Sequence, residues 1–99
     1  MRLRLEVRRE FASDLQDYLQ DAGFECERLI MEALGAPEII YVSAGSLTII
    51  DIVYRWITAK KEKTPDITVV ILTDDGTRVE LDKVEPDEAK KYLEGKGEL

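Results

Sequence analysis

Asp74 and Asp75 are the residues of this chain best suited by type and spacing to share acid/base work or to hold a divalent cation. They precede Gly76 in "LTDDGTRV", between two β-rich runs, where aspartate bonds to nearby backbone and tolerates positive φ. The spacing therefore predicts a hairpin turn, and the further spaced oxygen ligands of a calcium loop do not follow it. Cys26 is the one thiol, and with no histidine in the chain it lacks the usual base that would activate a nucleophile. A small buried core residue is expected there, and zinc sites of the Cys/His kind are excluded. Gly45 and Ser46, after "IIYVSA", suit a phosphate-binding turn ahead of a helix, but the other glycines and the lysine of a phosphate loop are missing. Helix initiation and capping is the expectation at those two residues. Each chemistry-bearing group thus has a structural role, and no catalytic, cofactor-binding or metal-binding set is expected.

Composition sets the class of partner. Ninety-nine residues suffice for one domain with one modest core, and 44% apolar residues argue for a packed globule. With 21 acidic against 14 basic residues the formal charge is −7, which disfavours non-specific binding to nucleic acid or anionic lipid. Protein partners are expected instead. A lone cysteine fits a reducing compartment, and "MRLRLEVRRE" alternates charged and apolar residues rather than running from a basic patch into an apolar stretch. The expected location is cytoplasmic.

The elements that must position these residues follow from periodicity. Met1, Leu3, Leu5 and Val7 alternate with Arg2, Arg4, Glu6 and Arg8, which makes a half-buried strand. Phe11, Leu15, Tyr18, Leu19 and Ala22 recur at helical spacing, so a helix is predicted over residues 10 to 22, with a capping box at Ser13 to Gln16 and a stop at Gly23. "FECERLIM" reads as a strand of about six residues. Gly35 and Pro37 break any helix beyond it, and "EIIYV" is either a short strand or a tight lead into the next helix.

"SAGSLTIIDIVYRWITAKK" is the most apolar stretch, and three readings compete for it: membrane anchor, docking surface and core helix. Extending the window back to Ile39 to reach the ~20 residues a span requires encloses Asp51 and Arg55, each at about 2.5–3.5 kcal/mol. Ile49, Ile50, Ile52, Val53, Trp56 and Ile57 instead form one stripe at helical period, with Asp51, Tyr54, Arg55 and Thr58 opposite. An amphipathic core helix from Ser46 to residue 62 is predicted, with an Asp51–Arg55 ion pair and with Lys60, Lys61 and Lys63 at its C-terminal dipole.

After Pro65, a hairpin is predicted from Ile67 to Thr73 and from Thr77 to Leu81, its first strand interior and its second half wet or at an edge. A last helix starts at Pro86 and ends at Gly95, with Ala89, Tyr92 and Leu93 as its apolar face. The fold class is therefore α+β, a single-layer sheet of three to four strands with helices packed on one face. Residues 1–94 form one domain and residues 95–99 a frayed tail.

Binding residues are sought where tyrosine, arginine and strand edges meet solvent. Tyr54 and Arg55 are of the types enriched at interface centres, and otherwise belong to a solvated helix face. Arg78 and Glu80 share one side of the second hairpin strand, where an edge offers backbone groups to a partner strand or a second copy, or where they act as blunting charges.

The strand "RLRLEV" with its following helix, the glycine-led "AGSLTIIDIVYRWITAKK" and the terminal "DITVVILTDDGTRVELDKVEPDEAKKYLE" together resemble the effector-associated constant component family of bacterial conflict systems. The likeness covers most of the chain outside Phe24 to Pro37. It implies a non-catalytic adaptor that links a nucleotide-dependent switch protein or an effector to its partner in bacterial defence, with no catalytic residues to carry across. The contrasting expectation is an acidic phage- or mobile-element-encoded inhibitor that mimics nucleic acid or blocks a basic protein surface. Basic residues alternate with the carboxylates along almost every element, which favours the adaptor.

Overall fold

The computed structural model describes residues 2–29, 37–43, 47–72 and 76–95. Among the described residues five strands and three helices follow in the order β1 (Arg2–Val7), α1 (Arg9–Asp21), β2 (Glu25–Leu29), β3 (Glu38–Ser43), α2 (Thr48–Lys61), β4 (Val69–Leu72), β5 (Arg78–Glu80) and α3 (Pro86–Gly95). The strands form one antiparallel sheet in the order β2-β3-β1-β4-β5. Up to β4 this is the split βαβ connectivity of ferredoxin-like folds, with β1 at the centre. β5 and α3 extend it on the β4 side.

The alternation of β1 decides which face is buried. Leu3 pairs with Val42, Leu5 with Ile40 and Ile71, and Val7 with Val69, and all of these side chains point into the core. Onto that face α1 lays Ala12, Leu15 and Leu19, α2 lays Ile49, Ile50, Val53, Trp56 and Ile57, and α3 lays Ala89 and Leu93. The helices therefore share one side of the sheet. Trp56 is 4% exposed and meets Phe11 of α1 edge to face, ring centres 6.3 Å apart.

Tertiary contacts settle one open alternative and correct several expectations. "EIIYV" is a strand inside the sheet, and its pairing with both β1 and β2 raises the strand number to five. Helix α1 begins at Arg9 without a side-chain cap, so Ser13 lies inside the helix and accepts a hydrogen bond from Arg28 at 2.5 Å instead of forming a capping box. Its end is as expected: Gly23, at φ 97°, closes a Schellman turn in which Phe24 N–H donates to Leu19 and Gly23 N–H to Gln20. Asp51 pairs with Lys90 of α3 at 2.6 Å rather than with Arg55, tying two helices together. Tyr92, expected on the buried face of α3, is 54% exposed. The expected turn at Asp74 and Asp75, the Gly45–Ser46 helix start and residues 96–99 lie outside the described residues.

Candidate protein-binding surface

The second face of the sheet carries the alternate side chains that the five strands turn away from the core. One row across it runs Leu29, Ile39, Glu6, Val70 and Glu80, and the next runs Glu27, Tyr41, Arg4, Leu72 and Arg78. Leu29, Ile39, Tyr41 and Leu72 are exposed or half-buried and take no part in the core, and among the described residues no helix packs over them. Leu29 is 45% exposed. Arg2 stacks on this face, its guanidinium 5.8 Å from the centre of the Tyr41 ring. Aliphatic and aromatic groups are thus interleaved with charges of both signs.

Arg78 and Glu80 lie together at the β5 end of this face. Arg78 donates to both carboxylate oxygens of Glu6 at 3.1 and 3.2 Å, and the Glu6 carboxylate holds its guanidinium pKa above the usual value. Glu80 accepts Lys83 at 2.8 Å and in turn raises the lysine pKa. Val70, between these residues, is 5% exposed although it points away from the main core. Beside β5 a shallow groove of about 430 Å³ is lined by Arg78, Val79, Glu80, Lys83, Val84 and Tyr92. The apolar members come from the helix side of the strand and the charged ones from the open face.

Tyr54 and Arg55 lie elsewhere. They belong to α2, in the helical layer, with Tyr54 half-buried, Arg55 exposed and the Tyr54 carbonyl accepting the Thr58 hydroxyl at 2.9 Å. The four residues singled out in the sequence therefore occupy two layers and do not form one surface. Arg78 and Glu80 are brought together; Tyr54 and Arg55 are separated from them by the core.

One charged constellation escapes sequence reading. Glu38 is buried on the core face of β3, 5% exposed, with Arg9 at 3.6 Å and Arg28 at 3.5 Å. Its only trace in the sequence is its phase, two residues before Ile40 and four before Val42. Cys26, on the same face of β2, is half-buried, and burial pushes its thiol pKa up, away from the reactive thiolate. Among the described residues no three metal-ligating side chains gather, and no helix is long and apolar enough to cross a membrane. No known protein family, curated protein or solved structure matches the chain.

Proposed function

We propose that this protein is a non-catalytic, cytoplasmic protein-interaction adaptor, and that the sheet face over which no described helix packs is its main binding surface. The observation that carries this reading is the composition of that face. Leu29, Ile39, Tyr41 and Leu72 supply apolar area, and Arg2, Arg4, Glu6, Arg78 and Glu80 supply charges of both signs around it. A protein interface has this make-up, apolar and aromatic groups within a polar rim. Phosphate backbones call for predominantly basic surfaces, and a mimic of nucleic acid calls for an unbroken acidic one. The arginines on this face support the adaptor over the acidic inhibitor. The sequence likeness to effector-associated components directs the search for the partner to nucleotide-dependent switch proteins and effectors of bacterial defence.

The test compares partner capture by the unaltered protein with capture by Leu29→Glu/Tyr41→Glu on the open face and by Tyr54→Ala/Arg55→Ala on α2. The reading expects the first variant to lose the partner by tenfold or more in affinity, on the order of one hot-spot loss, while the second retains it. Equal affinity for all three proteins, with folds intact, would move the interface off the sheet. Turnover of nucleotide or peptide by clean protein, abolished by a carboxylate substitution, would overturn the non-catalytic reading.

A further inference from the structure

The two edges of the sheet differ in what they offer to a second copy. In the β4–β5 pair Leu81 N–H donates to the Val69 carbonyl directly opposite at 3.0 Å. Directly opposed residues of an antiparallel pair alternate between hydrogen-bonded and not. Val79 is therefore bonded inward to Ile71, while Arg78 and Glu80 turn their backbone N–H and C=O groups to the edge that no other described strand pairs with. A two-fold axis through Val79 would set Arg78 of each copy opposite Glu80 of the other, and the outward backbone groups would meet in register. Cross-strand neighbours of opposite charge stabilise such a pair.

At β2 the same operation fails. A two-fold centred on Cys26 sets Glu25 against Glu27, one centred on Glu27 sets that residue against itself, and one centred on Arg28 sets arginine against arginine. Like charges directly opposed are destabilising, so β2 is guarded against self-pairing.

We infer that the free edge of β5 pairs two-fold with β5 of a second copy, Arg78 opposite Glu80, joining two sheets into one. The surroundings fit this occupant. Val79, Val84 and the exposed Tyr92 line the groove on the helix side, so the axis brings both copies of this apolar shelf together. On the open face, Lys83 takes only Oε2 of Glu80, and Glu6 takes two of the five N–H donors of Arg78. The Glu80 carbonyl accepts Lys83 N–H at 3.1 Å and keeps a second lone pair. The interface is isologous and closes on itself, so it gives a dimer and not a fibre. With a strand of three residues the contact is small, and the dimer is weak and concentration-dependent. Arg78 and Glu80 serve both this edge and the rim of the open face, and self-association of the protein alone reads the edge without the partner.

Sedimentation velocity from about 10 µM to about 1 mM, a range that brackets weak association, tests this with two variants. Glu6→Arg/Arg78→Glu keeps the bridge over β4 with its polarity reversed and puts glutamate opposite glutamate in the dimer. Glu80→Arg puts arginine opposite arginine. The unaltered chain is expected to dimerise, each variant alone to associate at least about tenfold more weakly, and an equimolar mixture of the two to recover the dimer. A chain that stays monomeric throughout, a dimer undiminished in both variants, or a mixture that fails to recover would each overturn the assignment. Circular dichroism of each variant confirms the fold, and loss of structure in one of them leaves the unaltered chain's own dimerisation and the other variant to decide.

Discussion

Arg78 on β5 holds both carboxylate oxygens of Glu6 on β1, and the pair spans the intervening strand β4 above the nearly inaccessible Val70. An exposed ion pair is screened by salt, whereas the aliphatic stem of an arginine packed on a valine is not. Glu6→Gln is expected to lower the denaturant midpoint slightly at low ionic strength and to have no effect at high salt. Denaturation curves in both conditions measure it, and a loss that persists in salt would assign the stabilisation to packing.

Trp56 joins α2 to α1 through Phe11, and its Nε1 has no hydrogen-bond partner among the described residues. Trp56→Ala is expected to cost about 3–5 kcal/mol by urea unfolding, as truncation of a buried aromatic does. Trp56→Phe keeps most of the apolar volume and removes the unpaired N–H, so it should cost clearly less. A loss below about 1 kcal/mol for the alanine variant would place Trp56 outside the core.

Glu38 relies on two partly exposed arginines for its burial. Arg28→Ala leaves the carboxylate buried with Arg9 alone, and a cost of roughly 3 kcal/mol is expected, the lower end for breaking a buried pair. Glu38→Gln leaves arginines that can turn to water and should cost less. Chemical denaturation of both variants and of the double variant checks the order. If Glu38→Gln proves the more damaging, the arginines and not the carboxylate are the stranded charges.

Burial raises the Cys26 pKa above that of a free thiol. A folded-state pKa above the unfolded one contributes stability below the unfolded value, and that contribution is lost as pH rises through the folded value. Alkylation by iodoacetamide at mildly alkaline pH should accordingly be slower for the folded chain than for the chain in denaturant. Equal rates would show a fully hydrated, unperturbed thiol.

Local pattern made the elements legible. Leu3, Leu5 and Val7 announce a half-buried strand because side chains alternate along an extended backbone, and the stripe from Ile49 to Ile57 announces α2 because 3.6 residues complete a turn. The interior place of β4 was readable from "VVIL", which is apolar in both phases and is buried at its first three positions. Gly23 was readable as a stop, since only glycine enters a φ of 97° without cost.

What depended on long-range pairing was not. Asp51 stands four residues from Arg55, but Lys90 of α3 reaches it first, and no spacing rule within one helix can report a neighbour 39 residues away. The phase of "EIIYV" does not say which of its faces is covered, and Glu38 is buried because β3 lies between β1 and β2 with Arg9 and Arg28 around it. The candidate site divides in the same way. That Arg78 and Glu80 share a side follows from the two-residue period of β5, which the sequence by itself determines. That this side faces away from the helices, that Glu6 sits across β4 from it, and that Tyr54 and Arg55 lie in the opposite layer were decided only by the tertiary structure, because strand order and register arise from contacts between segments that no local pattern encodes.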